Sequence, residues 1–147
     1  MFQRVVVGAD ESATAREAVR SAMRFAQACG AELHIVTAYK PGRADRQVAS
    51  NRVKLGPEMR GVLSAHPADM LLADLQGMVE QEGIGAIVHA AAGEPAEALC
   101  EVAEQEGADL IVVGNKGMKG ARRVLGSVPN SVAHSAHCSV LIVDTVG

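Results

Sequence analysis

The sequence predicts an α/β domain, a doubly wound five-stranded parallel sheet with helices on both faces, of Rossmann-like type. Two observations carry this. Short runs of β-branched and aliphatic residues alternate with single amphipathic helical stretches, and the runs are apolar at successive positions rather than at every second one. Strands that are apolar on both faces must be covered on both, and single helical crossovers between parallel strands, which share one hand, supply that cover. The 147 residues suit one domain, 1–147. A chain of this size buries about two-thirds of its unfolded surface without disulfides or metal.

The first strand is Val5-Val-Val, ending at Gly8. Ala15, Ala18, Val19, Ala22, Met23 and Ala26 then recur at helical spacing, with Ser12, or Thr14 with Glu17, as candidate caps and Gly30 as the stop. Leu33 to Ala38 is the second strand. From His66 to Glu82 an apolar face of Leu71, Leu72, Leu75, Met78 and Val79 predicts a second helix, and Pro67 falls where a first turn tolerates proline. Ile84 to Ala90 is the third strand. Glu94-Pro95 opens a third helix with Ala98, Leu99, Val102 and Ala103 inward, closing near Gly107. Ile111-Val-Val, a helix from Ser127 to Ala136, and Val140 to Val143 complete an alternating order of five strands and four helices.

Residues 40–65 fit neither pattern and read as a long mobile basic loop. Between Lys40 and Arg60 there are six cations, Lys40, Arg43, Arg46, Arg52, Lys54 and Arg60, against Asp45 and Glu58. The segment is therefore locally +4 while the rest of the chain is −7. A net charge of −3 and a pI near 5.9 predict no general affinity for nucleic acid or membrane surfaces. With no Trp and only Tyr39, Phe2 and Phe25 as aromatics, there is no platform on which bases could stack. Cys29, Cys100 and Cys138 are odd in number and set among apolar residues, so they read as reduced thiols. The first residues form a strand rather than a leader, no apolar run reaches membrane-spanning length, and the expected location is cytoplasmic.

Chemistry is concentrated where the strands end. In open parallel sheets ligands bind beyond the carboxyl ends of the strands, where the winding reverses. Those ends are Gly8-Ala9-Asp10, Thr37-Ala38-Tyr39 and Val113-Gly114-Asn115. The last runs into a glycine-rich turn, with Gly117 three residues after Gly114 and Gly126-Ser127 at the next helix start. Such a turn directs several backbone N–H groups at one point, which suits phosphate, and Ser127 can cap a helix whose N-terminus is partly positive. Lys116, Lys119, Arg122 and Arg123 add cations, although an ordinary strand-to-helix loop with solvated charges would look the same. The turn is not a P-loop, since no Gly-Lys-Ser/Thr closes it. Nor does the first strand carry the dinucleotide Gly-x-Gly-x-x-Gly.

These residues resemble the universal stress protein family. The resemblance rests on Val5-Val-Val-Gly-Ala-Asp10-Glu-Ser12, Ile35-Val-Thr-Ala38, Gly93-Glu-Pro-Ala, and Val112-Val-Gly-Asn-Lys-Gly117 through Gly126-Ser-Val-Pro-Asn130. Its ATP-binding members carry Gly, two residues, Gly, nine residues, Gly, then Ser or Thr. Here eight residues separate Gly117 from Gly126, and Glu11 stands where many members have glycine.

The resemblance implies a non-catalytic regulator that binds an adenine nucleotide, ATP or else AMP or cyclic AMP, with Mg²⁺ as a candidate companion. Some relatives with Gly-Ser-Val-Pro endings bind cyclic AMP, so the resemblance keeps selectivity for a monophosphate open as a variant. The implied site comprises Ala9, Asp10, Thr37 and Ala38 toward the adenine and ribose, with Val113, Gly114, Asn115, Gly117, Gly126, Ser127 and Val128 toward ribose and phosphates. Taken alone, Asp10 reads as a helix-start carboxylate satisfied by backbone N–H groups. The last strand, Val140, Leu141, Ile142 and Val143, would be an apolar edge, and the resemblance implies a homodimer through it. A slow ATPase and a nucleotide-free dimer acting through protein partners are the alternatives. His134 and His137 lie three apart but read as helix-end cations, and no metal is assigned.

Overall fold

The computed structural model describes residues 1–40, 67–115 and 127–145. The basic segment after Lys40, together with Lys116, Gly117, Lys119, Arg122, Arg123 and Gly126, lies outside the described residues. The elements run β1 (Arg4–Gly8), α1 (Ala13–Cys29), β2 (Glu32–Tyr39), α2 (Pro67–Glu80), β3 (Ala86–Ala92), α3 (Pro95–Gln105), β4 (Leu110–Gly114), α4 (Val128–Ser135) and β5 (Ser139–Val143). All five strands are parallel, in the order β3-β2-β1-β4-β5. The chain steps outward from β1 to β3, returns to the other side of β1 with β4, and ends at β5. The winding therefore reverses between β1 and β4.

Alternate side chains of each strand divide the core in two. Val5, Val7, Leu33, Ile35, Leu110 and Val112 face α1 and α2, whose Val19, Ala22, Leu72, Leu75 and Val79 meet them. Val6, Val36, Ile111 and Val113 face the other layer, where Leu99, Val102 and Val132 of α3 and α4 cover them. Each fully buried Val, Leu or Ile contributes about 1.5–3 kcal/mol from removal of apolar surface from water. The successive apolar runs of β1 and β4 are explained by this two-sided cover. The edge strands β3 and β5 are only partly buried, and Ile87 and Ile142 remain exposed.

Helix α1 begins where Ser12 accepts a hydrogen bond from the Ala15 amide at 3.2 Å. It ends at Gly30, whose φ of 68° is the left-handed conformation that lacks a Cβ penalty only in glycine. The six expected inward residues of α1 are all buried. Strand β3 starts two residues later than the apolar run suggests. Gly83, at φ 81°, turns the chain, and the Ile84 amide still donates to the Val79 carbonyl of α2, so Ile84 closes the helix end.

Before β4, Asp109 accepts from the amides of Gln3 at 2.8 Å and Arg4 at 3.0 Å, tying the N-terminal segment to the sheet. Burial alone would raise its carboxyl pKa. The amide donors and the N-terminal charge outweigh that and hold it below the usual value. Cys100 and Cys138 are part-buried free thiols whose pKa is pushed up, chiefly by burial, which favours the thiol over the thiolate. No described helix is long and apolar enough to cross a membrane.

Candidate functional site

At the winding reversal a cleft of about 150 Å³ opens between the carboxyl ends of β1, β2 and β4. Its floor is apolar, formed by Ala15, Ala18, Val36, Leu99 and Val113. Three helices begin at its rim. Ser12, Thr14 and Ala15 belong to the start of α1, Pro95 to α3, and Val128 and Pro129 to α4. The first amides of a helix have no intrahelical acceptor, and each helix start carries about half a positive charge, so three of them around one cleft favour an anion there.

Of the expected site residues, the cleft brings together Ala9, Asp10, Ala38, Val113, Gly114 and Val128. Thr37, Asn115 and Ser127 do not line it. Thr37 is buried, and its hydroxyl donates to the Ala9 carbonyl at 3.1 Å, which fixes the loop after β1 against β2. Ser127 is 6 % exposed and its Oγ accepts from the Asn130 amide at 3.3 Å, so it serves as the N-cap of α4. Gly117 and Gly126 lie outside the described residues. Asp10 is the one ionisable side chain among the described residues that line the cleft. Its Oδ1 accepts from the Ser12 amide at 2.8 Å and from the Ser12 hydroxyl, which organises the start of α1.

Asn115 holds the chain's own C-terminal segment. Its Nδ2 donates to Asp144 Oδ1 at 2.8 Å, and its Oδ1 accepts from the Thr145 amide at 3.0 Å and the Thr145 hydroxyl at 3.2 Å. Thr145 is thereby seated as a wall of the cleft beside Gly114. Sequence reasoning missed Thr145, since it follows the last strand and belongs to no motif. Gly114 is the signal that could have found it: a Cβ there would lie 3.0 Å from Thr145 Cγ2, so the glycine makes room for that methyl. Leu99 and Pro129 were expected only as helix residues, yet both reach the cleft because their helices start above it.

Among the described residues no third ligand joins His134 and His137 in a metal-binding group. His137 lies on the exposed surface with its Nε2 3.7 Å from Glu104 Oε2.

An open parallel sheet with helices on both faces and an apolar cleft at its winding reversal defines a doubly wound α/β domain, with its cleft at the place where ligands of such sheets bind. The chain belongs to the universal stress protein family, which it matches over residues 1–144. It is 37 % identical over 146 residues to universal stress protein Rv1636 of Mycobacterium tuberculosis, covering 98 % of this chain and 97 % of that protein. It is 30 % identical over 144 residues to universal stress protein MJ0531 of Methanocaldococcus jannaschii, covering 97 % and 82 %. Among solved structures, a universal stress protein in complex with cAMP superposes with a TM-score of 0.79 at 37 % identity, over 98 % of each chain. The fold is shared further with the universal stress protein of Archaeoglobus fulgidus in complex with dAMP, at a TM-score of 0.67 and 21 % identity, over 96 % and 97 %.

Proposed function

We propose that this chain is a non-catalytic regulator that binds an adenine nucleotide in the cleft at the end of β1 and β4, with cyclic AMP as its first ligand and ATP as the second. The observation that carries the reading is the convergence of three helix starts on an apolar cleft in a fold whose 37 % identical relative holds cAMP. The division of labour follows from the chemistry. Ala15, Ala18, Val36 and Leu99 offer apolar surface to a base, Asp10 offers a carboxylate to ribose hydroxyls, and the helix starts offer N–H groups to phosphate.

The cleft supports binding better than turnover. Hydrolysis of ATP needs a group that positions or deprotonates water beside the terminal phosphate. Asp10, the ionisable group lining the described cleft, is occupied in organising α1 through Ser12. Regulation would then arise from any difference in nucleotide affinity between two states of the protein. The exposed edge strand β5, with Ile142 at its surface, is the reading's dimer surface, through Val140, Leu141, Ile142 and Val143.

Calorimetric titration of the full chain with cyclic AMP, and separately with ATP and Mg²⁺, tests the proposal. One nucleotide per chain is expected, and Ala38→Phe, which fills the cleft from the β2 side, should abolish binding with little change in Tm. Equal affinity in Ala38→Phe would move the site elsewhere. Sustained phosphate release from ATP that Ala38→Phe abolishes would replace the binding reading with an ATPase.

A further inference from the structure

The α3-facing side of β2 and β3 carries a second constellation that the cleft does not use. His34 is fully buried, yet both its ring nitrogens are engaged. Nε2 lies 2.6 Å from Glu32 Oε1 and Nδ1 lies 2.9 Å from His89 Nε2. A carboxylate only accepts, so the Nε2 of His34 carries a proton, and in the neutral imidazole Nδ1 then presents a lone pair. Arg4 Nε lies 3.6 Å from the same Glu32 oxygen. The planes of the two imidazoles differ by only 15° and their centroids are 5.1 Å apart. That separation is nearly the longest a 2.9 Å contact between ring nitrogens permits, so the two nitrogens meet end on. Glu106, the C-terminal cap of α3, completes the group. One donor atom from each of His34, His89 and Glu106 lies within 4.8 Å of the others.

We propose that His34, His89 and Glu106 form a binding site for a divalent transition-metal ion of the zinc class, with Glu32 orienting His34 from behind. An imidazole that donates its remote N–H to a carboxylate is the usual arrangement of a metal-ligating histidine, because that bond sets the tautomer and the ring direction. The spacing also fits. Tetrahedral zinc–nitrogen bonds of about 2.0–2.1 Å place two ring nitrogens of one ion about 3.3 Å apart, a few tenths of an ångström more than the 2.9 Å seen here. In the metal-free chain the lone pair of His34 is satisfied by the N–H of His89. On binding, His89 moves its proton from Nε2 to Nδ1 through solvent and turns so that both lone pairs converge on the ion. No net proton is lost. The Glu106 carboxylate, at the solvent side, closes in by a rotamer change, and water fills the fourth position. Two imidazoles and a carboxylate suit zinc, cobalt or nickel better than magnesium or calcium, which prefer all-oxygen sites. The two carboxylates, Glu32 and Glu106, balance the ion's charge.

The site lies on the sheet face under α3, away from the cleft, and does not depend on the nucleotide reading. The test is calorimetric titration of chelator-treated, full-length protein with Zn²⁺. Cobalt substitution would be followed by visible absorption, and the imidazole nitrogens by NMR. One ion per chain is expected, with the His34 Nδ1 resonance shifting on binding. His89→Gln and Glu106→Gln should each weaken binding at least tenfold. A paired His134→Ala, His137→Ala variant should bind as the parent does. His34 is left intact because its replacement in the core would confuse folding with binding. Three results would overturn the proposal: no zinc bound by the parent, zinc bound equally by His89→Gln, or binding lost only in the His134, His137 variant. The first would leave the pair as a proton-sharing contact alone.

Discussion

Gly114→Ala tests how the cleft wall is built. The new methyl would lie 3.0 Å from Thr145 Cγ2, 3.2 Å from Thr145 Oγ1 and 3.7 Å from Ala18 Cβ. Ala18 is locked in α1, so Thr145, near the end of the chain, must yield. Yielding breaks its two hydrogen bonds to Asn115 Oδ1, at 3.0 and 3.2 Å. At roughly 0.5–1.5 kcal/mol each, and below the middle of that range because Thr145 is only half-buried, these together cost about 1.5 kcal/mol. The lower backbone entropy of unfolded alanine returns about 0.5 kcal/mol. The net loss is about 1 kcal/mol.

An unfolding entropy of about 2.1 cal/mol/K per residue makes that a fall of roughly 3 °C in Tm for a chain this long. The assay is thermal unfolding at fixed protein concentration of Gly114→Ala, Asn115→Ala and the double variant. Since the alanine has already displaced Thr145, Asn115→Ala should cost clearly less in the double variant than alone. Cyclic AMP affinity should fall as the wall opens. A Tm that rises in Gly114→Ala, or strictly additive losses, would show that Thr145 is not held as described.

Three further outcomes are expected. Ser127→Ala removes the cap of α4 and should cost about 1 kcal/mol, read as a similar drop of roughly 3 °C in Tm; an unchanged Tm would mean that the Asn130 amide finds another acceptor. Asp109→Asn should destabilise by roughly 1 kcal/mol at pH 7, because Gln3 and Arg4 lose a charged acceptor. The folded carboxyl pKa lies below the unfolded value of about 3.9, so this stabilisation is complete above that value and is lost as pH falls through the folded one. The gap between parent and variant in denaturant titrations should therefore close in acid, and a gap that is constant down to pH 2 would contradict the assignment. Ile142→Lys, at an exposed position of β5, should leave the monomer's fold intact and convert a dimer to monomer in sedimentation velocity; an unchanged sedimentation coefficient in a dimeric parent would place the interface elsewhere.

The sequence by itself determined the alternation of strands and helices, because each depends on neighbours close in the chain. Val5-Val-Val and Ile111-Val-Val are apolar at every position only because both faces are covered, and the Ala15-to-Ala26 stripe can bury itself only as a helix. Ser12 and Gly30 bounded α1 through local capping and a positive φ. Strand ends at Gly8 and Gly114 likewise pointed to the cleft before any coordinates. Tertiary structure alone decided what depends on residues far apart in the chain. Thr145 became a cleft wall because β5 lies beside β4 and Asn115 reaches across to the tail. Thr37 and Ser127 turned inward to hold the scaffold, since buried hydroxyl groups take the nearest partners, and Asn115 turned to the segment after β5. His34 and His89, 55 residues apart, meet because β2 and β3 are adjacent in the sheet with Val36 opposite His89. A periodicity read along one chain carries no information about which strand lies beside which, and it is that adjacency which joins these side chains into sites.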